Sequence, residues 1–202
     1  FMTESISLQA DSVCVGYGEQ AVIEALSLEI RQGEITVLVG PNGSGKSTLL
    51  KTLARLLRPR SGIVYLDGKA ITKLSTAEVA RQLAMLPQSP ETPAALTVRE
   101  LVEQGRYAHT GPLRMLRQQD HDAIQRALAL TRVQPFADRY LDSLSGGERQ
   151  RAWIALTLAQ DTSILLLDEP TTFLDIRHQL EILALVEDLN RTQAMTVVMV
   201  LH

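Results

Sequence analysis

The sequence has 202 residues, which allows one domain, or a compact core with a subdomain, and excludes several independent domains. Hydrophobic residues at 45% and charged residues at 21% are typical of a globular protein and exclude a disordered one. A net charge of −3 disfavours a nucleic-acid-binding protein, so we expect no nucleic-acid partner. The single cysteine, Cys14, excludes an internal disulfide and fits a reducing, cytoplasmic setting.

The first third of the chain changes from alternating segments to an apolar run. Residues Ile6 to Ala10 and Leu26 to Ile30 alternate and are separated by glycines, which predicts hairpin-like strands. The apolar run 35–39 has strand length, and apolar residues recur at helical spacing from Thr48 to Leu57. The glycine-rich turn between these two segments completes a strand, loop and helix.

The middle of the chain carries helix signals. Ser75 and Thr97 each begin an S/T-x-x-E capping box, so helices are predicted after both residues. Between them, Leu83 to Leu86 is predicted to be a short strand, and residues 87–93 form a proline-rich loop. From Val98 to about Asp138 the apolar spacing is helical, which predicts a helical subdomain.

Strand character returns at residues 164–167 and 196–201. Both apolar runs are far shorter than the ~20 residues of a membrane-spanning helix. Between them we predict an amphipathic helix whose apolar face carries Ile176, Leu180, Leu183 and Leu189. Strands that alternate with helices predict an α/β fold with a mainly parallel sheet core, to which the N-terminal segments add a small antiparallel β part.

The turn between the third strand and its helix carries a phosphate-binding pattern. Residues 40–47 fit G-x-x-x-x-G-K-[ST], in which glycines turn successive N–H groups towards phosphate oxygens. In this pattern Lys46 reaches the β- and γ-phosphates and Ser47 ligates Mg²⁺. An ordinary glycine turn is the alternative. The predicted nucleotide-binding residues of this segment are Gly40, Pro41, Asn42, Gly43, Ser44, Gly45, Lys46, Ser47 and Thr48.

Two adjacent carboxylates follow the strand at residues 164–167. Neighbouring residues on a strand point to opposite sides, so Asp168 and Glu169 have different tasks. We predict that Asp168 is a Mg²⁺ partner, directly or through water, and that Glu169 orients and deprotonates the attacking water. A turn or helix-capping aspartate is the alternative for this position.

A third motif, LSGGE at residues 144–148, contains one more capping box, formed by Ser145 and Glu148. The box does not explain Gly146 and Gly147, which cost helix propensity and favour close approach of an anion to the backbone. The order of phosphate loop, Gln88, LSGGE, ILLLDEP and a late histidine resembles the nucleotide-binding subunit of ABC transporters, over essentially the whole chain. The resemblance implies an ABC ATPase of the P-loop NTPase class that binds ATP and Mg²⁺.

The resemblance also implies roles for residues that carry no signal alone. It assigns Tyr17 to stacking on adenine, Gln88 to linking Mg²⁺ and water to the membrane partner, and His202 to a γ-phosphate contact. It assigns Asp175 to communication between the two sites of a dimer. Glu169, Gln88 and His202 are therefore the expected catalytic residues, and Ser47, Gln88 and Asp168 the expected metal residues.

In that family two subunits associate head to tail, so Ser145 and Gly147 of one chain would close on the γ-phosphate held by Lys46 of the other. The expected partners are thus a second copy, transmembrane permease subunits and, indirectly, a substrate-binding protein. The expected location is peripheral, at the cytoplasmic face of the cell membrane.

The segments at residues 171–181 and 96–106 resemble those of the family branch that serves iron-siderophore, haem and cobalamin importers. Among these cargoes, the resemblance favours a ferric siderophore. A soluble ABC-type ATPase that drives assembly, as in iron-sulphur cluster biogenesis, is the alternative function. A P-loop kinase or GTPase does not need the LSGGE motif, so the motif disfavours both of these classes. We expect residues 1–202 to be one ATP-binding domain with the helical subdomain inserted at about 91–157. Because the family continues past the histidine, the resemblance implies that this sequence is truncated at its C-terminus.

Overall fold

The computed structural model describes residues 5–90, 95–110 and 115–201. Its strands and helices, in chain order, are β1 (Ile6–Tyr17), β2 (Gln20–Arg31), β3 (Ile35–Leu38), α1 (Lys46–Leu53), β4 (Ser61–Leu66), β5 (Lys69–Ala70), α2 (Thr76–Ala80), β6 (Leu83–Leu86), α3 (Val98–Glu103), α4 (Tyr107–Thr110), α5 (Gln118–Leu130), α6 (Gly146–Ala159), β7 (Ile164–Asp168), α7 (Ile176–Gln193) and β8 (Thr196–Val200). The order confirms the predicted α/β class.

The strands form two sheets. The first is antiparallel, in the order β2-β1-β4-β5, and the second is parallel, in the order β3-β8-β7-β6. Strands β4 and β5 were not predicted from the sequence. The Asp67-Gly68 pair is a sequence signal for a hairpin. In the structure these two residues join β4 to β5 with positive φ angles of 45° and 73°, the backbone of a two-residue hairpin turn.

The parallel sheet separates two apolar cores. On β7, Ile164 and Leu166 pack into the core shared with α1 and the antiparallel sheet, whereas Leu165 and Leu167 pack into the core shared with α3, α5, α6 and α7. This alternation follows from the two-residue period of a strand. All five residues of β7 are buried, as expected for a strand covered on both faces.

The predicted capping boxes are confirmed. The side chain of Ser75 accepts a hydrogen bond from the Glu78 N–H, and the Thr97 side chain accepts one from the Glu100 N–H; both glutamates bond back to the capping residue. Ser145 begins α6 in the same way. The part of the proline-rich loop at 91–93 lies outside the described residues, as does residue 202.

The predicted apolar face of α7 is wrong at two of its four residues. Ile176 and Leu180 are 70% and 59% exposed, whereas Ile182, Val186 and Leu189 are buried. At 100° per residue, the buried three form one stripe, and Ile176 and Leu180 lie roughly 120 to 160° around the helix from it. Of the predicted set, Leu189 belongs to the buried stripe and Leu183 is half-buried against the same core.

Candidate nucleotide-binding site

The phosphate loop joins β3 to α1. Helix α1 begins at Lys46, two residues before the predicted start, because Gly45 is its N-terminal cap with φ of 92°. A Cβ at Gly45 would lie 3.0 Å from the side chains of Val22 and Ile23, so only glycine fits both this backbone and this space. The loop therefore aims the first N–H groups of a helix at one place, the geometry that binds phosphate oxygens.

Lys46 lies across this loop. Its Nζ donates hydrogen bonds to the carbonyl oxygens of Gly40 at 2.8 Å and Pro41 at 2.9 Å. These bonds place the ammonium group beside the loop, where it can reach a bound phosphate without a large movement of the chain.

The loop forms one wall of an open cavity of about 580 Å³. The predicted residues that line it are Asn42, Gly43, Gly45, Lys46, Ser47, Thr48, Gln88 and Glu169. Three segments far apart in sequence thus meet at one place. Val22 and Thr172 also line the cavity and were missed by the sequence analysis. Val22 belongs to no motif, so no sequence signal identifies it. Thr172 stands three residues after Glu169, and its place in the turn that follows the two carboxylates could have identified it.

The two carboxylates at the end of β7 have different hydrogen-bond partners. Asp168 is 2% exposed and its Oδ1 accepts a hydrogen bond of 2.7 Å from the Ser47 hydroxyl. Glu169 accepts hydrogen bonds from Gln88 Nε2 at 2.5 Å and from the Thr172 hydroxyl at 2.9 Å. The physical reason differs from strand alternation, because β7 ends at Asp168 and Glu169 turns away with φ of +52°.

The metal chemistry of this place can be tested from its donors. Ser47 and Asp168 offer a hydroxyl and a carboxylate oxygen, the hard ligands that Mg²⁺ prefers. Within residues 5–90, 95–110 and 115–201, no cluster of three or more His, Cys, Asp or Glu side chains could hold a metal. Mg²⁺ uses one or two protein oxygens together with substrate phosphates and water, so the residues present fit Mg²⁺.

Other predicted residues lie away from the cavity. Tyr17 ends β1 and is 53% exposed, and the turn after it is held by Arg60, whose guanidinium donates to the carbonyls of Gly18, Glu19 and Gln20. Ser145 and Gly147 do not line the nucleotide cavity, and Ser145 lines a separate cavity of about 730 Å³ between α6 and α7. His202 lies outside the described residues.

The sequence matches the family model described as ABC transporter over residues 23–172. Curated relatives cover nearly all of the chain. The Bacillus subtilis protein named Probable siderophore transport system ATP-binding protein YusV is 55% identical over 97% of this chain and 71% of its own length. Petrobactin import ATP-binding protein FpuD of Bacillus anthracis is 53% identical over 97% and 72%. Ferric enterobactin transport ATP-binding protein FepC of Escherichia coli is 48% identical over 100% and 74%.

A solved structure gives the same fold. The dimeric structure of MJ0796, described as a bacterial ABC transporter cassette, is 30% identical, with a TM-score of 0.82, and covers 96% of this chain and 88% of its own. The same cassette has been solved in a post-hydrolysis state bound to ADP and Pi. The present chain belongs to the ABC transporter family, as an ATP-binding domain. It is accordingly a P-loop ATPase whose hydrolysis of ATP is coupled to transport.

Proposed function

We propose that this chain is the ATP-hydrolysing subunit of an importer of metal chelates, with a ferric siderophore as cargo. The ATPase part is carried by one observation: Glu169 is held by Gln88 and Thr172 in the same cavity as Lys46. The cargo is supported by the relatives YusV, FpuD and FepC, whose names give siderophore transport, petrobactin import and ferric enterobactin transport.

The residues of the cavity divide the chemistry among themselves. The loop N–H groups and Lys46 bind and orient the β- and γ-phosphates of ATP. Glu169 orients the attacking water and takes its proton, and the bonds from Gln88 and Thr172 fix the direction of its carboxylate. When bound at Ser47 and Asp168, Mg²⁺ neutralises charge on the phosphate oxygens. Tyr17 stacks on the adenine, and His202 contacts the γ-phosphate.

The proposed assembly is a head-to-tail pair of ABC cassettes. Ser145 and Gly147 lie outside the chain's own nucleotide cavity, so they would act on ATP bound to a second copy. Loss of the γ-phosphate would remove these contacts and shift the pair towards an open state. In this proposal residues 1–202 form one ATP-binding domain, with the helical part at about 91–157 inserted in it.

The proposed location is the cytoplasmic face of the cell membrane, where the pair would bind permease subunits and, through them, respond to a substrate-binding protein. No helix in the described part of the chain is long and apolar enough to cross a membrane.

The function can be tested in vesicles that contain this chain and its permease. ATP hydrolysis is measured with binding proteins loaded with ferric siderophore, haem or cobalamin, and a Lys46→Ala chain is the inactive control. Stimulation by the ferric siderophore would support the proposal. A response only to haem or cobalamin would assign one of those cargoes instead, and a response to none would overturn the importer. Copurification with a soluble complex that lacks permease subunits would favour the assembly ATPase.

A further inference from the structure

The beginning of α6 is packed against the beginning of α7 through a glycine. A Cβ placed on Gly147 would collide with the His178 ring, at Cδ2, and would lie 2.8 Å from Cγ and 3.0 Å from Nε2. Gly147 is buried and has no positive φ angle, so backbone conformation does not require glycine at this position. A Cβ at this position could be placed only if the imidazole ring of the same chain moved away.

The His178 ring is held from its other side. Its Nδ1 lies 2.8 Å from Oδ1 of Asp175, and the same oxygen accepts a hydrogen bond of 2.9 Å from the His178 N–H, which caps α7. Those hydrogen bonds keep the pKa of the Asp175 carboxyl below its ordinary value. The carboxylate, the ring and the glycine therefore form one continuous packing unit across the two helix ends.

Two neighbouring contacts reinforce this unit. A Cβ on Gly146 would lie 3.4 Å from Cδ2 of Leu174, so the residue before Asp175 packs close to the first glycine. One turn further along, Arg151 of α6 donates to Glu181 of α7 at 2.8 Å. The first two turns of α6 thus contact the start of α7 and the residue before its cap at three successive levels.

We propose that His178 is a positioning residue for the composite ATP site: its ring, oriented by Asp175, sets the N-terminal turn of α6 so that Ser145 faces the nucleotide of a second copy. This inference rests on the proposed function for the role of Ser145. It deepens that function, because it gives Asp175 a second task within its own chain, which is to orient the His178 ring.

The stability of the first turn of α6 against local opening can be measured without nucleotide. Amide hydrogen exchange of residues 144–150 is compared in the wild-type chain and in His178→Ala, with His121→Ala on the exposed side of α5 as the matched control. We expect exchange in this segment to rise about tenfold in His178→Ala and to stay unchanged in His121→Ala. Equal exchange in all three chains would overturn the positioning role.

The effect on the composite site is measured in chains that carry Glu169→Gln. One measurement is ATP-driven self-association in the ultracentrifuge, and the other is the affinity of the single chain for ATP. His178→Ala should weaken self-association about tenfold while ATP affinity stays within about twofold, because residue 178 does not line the nucleotide cavity. Unchanged self-association would overturn the inference, since a purely local packing role predicts that result.

A compensating pair makes the contact itself testable. Gly147→Ala should weaken self-association more than the about tenfold expected for His178→Ala, because its methyl group meets the ring, and adding His178→Ala to it should bring the loss back to that of His178→Ala alone. Multiplied losses in the double variant would overturn the inference, because they are expected if Gly147 serves only the approach of an anion. A Glu169→Gln parent that neither binds ATP nor self-associates would contradict the proposed function instead, and hydrogen exchange would still decide the position of the turn.

Discussion

The hydroxyl of Ser47 donates a hydrogen bond of 2.7 Å to Oδ1 of Asp168, which joins the first turn of α1 to the end of β7 across 121 positions of the sequence. Asp168 is almost fully buried at this point, and Ser47 faces the nucleotide cavity. The buried carboxylate therefore orients the hydroxyl that would ligate Mg²⁺ and adds negative charge behind it.

Asp168→Asn should raise the Mg²⁺ concentration needed for half-maximal ATP hydrolysis by about 10- to 100-fold, because the amide keeps the shape of the carboxylate but loses its charge. The measurement is a Mg²⁺ titration of hydrolysis, and chelation of the metal should abolish activity in both chains. Asp142→Asn changes an exposed carboxylate and is the control. An unaltered Mg²⁺ titration in Asp168→Asn would remove Asp168 from the metal residues.

Glu169→Gln should bind ATP within about twofold of wild type and hydrolyse it about 10² to 10⁴ times more slowly. Glutamine retains an oxygen to accept the bonds from Gln88 and Thr172, but it cannot take a proton from water. Steady-state turnover and equilibrium ATP binding separate the two effects. Glu187→Gln on the exposed side of α7 should be silent, and wild-type turnover in Glu169→Gln would show that another group is the base.

Gln88→Glu should move the acidic limb of the pH–rate profile to higher pH. The new carboxylate would lie beside Glu169, and two like charges at this separation raise the apparent pKa of the pair. Because the base acts in its deprotonated form, activity at neutral pH should fall and recover as the pH rises. The profile is compared with that of Gln119→Glu, an exposed control on α5. Superimposable profiles would mean that Gln88 does not face the base during hydrolysis.

Tyr17→Ala should weaken ATP binding about tenfold, whereas Tyr17→Phe should retain it, because the ring and not the hydroxyl stacks on a base. Binding is measured by fluorescence titration, and the binding of inorganic triphosphate should not change. Tyr140→Ala is the control, since Tyr140 is 55% exposed and Tyr17 53%. Equal ATP affinity in Tyr17→Ala and wild type would leave Tyr17 as an ordinary surface residue.

Asp120→Asn should lower the free energy of unfolding by about 3 to 5 kcal/mol, because Arg106 would be left buried without its partner. Their side chains are 1% and 4% exposed, and Oδ1 of Asp120 lies 2.8 Å from the Arg106 guanidinium. Urea denaturation measures the loss. Asp122→Asn, on the exposed side of the same helix, should change stability by less than about 0.5 kcal/mol.

The same pair predicts a pH dependence. Burial raises the pKa of Asp120, but the hydrogen bonds from the Arg117 N–H and from Arg106 outweigh it and hold the pKa below its ordinary value. A lowered pKa in the folded chain means that the carboxylate stabilises the fold above its unfolded pKa. This contribution is lost as the pH falls through the lower, folded value. The stability difference between wild type and Asp120→Asn should therefore shrink in acid, and a difference independent of pH would contradict the assignment.

The sequence by itself determined the α/β class, the strand, loop and helix at residues 35–53, the buried strand β7 and three capping boxes. These features depend on local patterns: the period of apolar residues, glycine in a turn, and a capping side chain three residues from its partner. The residues of the phosphate loop, of the carboxylate pair and of LSGGE could also be recognised from local patterns. Their meeting in one cavity could be expected because the phosphate loop and Glu169 follow parallel strands of one sheet.

Only the tertiary structure decided which side of α7 is buried, because several apolar stripes exist on that helix and only contact with the sheet selects among them. It also decided that Thr172 and Gln88 orient Glu169, which depends on a left-handed turn and on a segment 81 residues away. The packing of His178 on Gly147 was likewise decided only by the tertiary structure. Local sequence predicts a helix start at Ser145, but long-range packing decides which side chain stands against it.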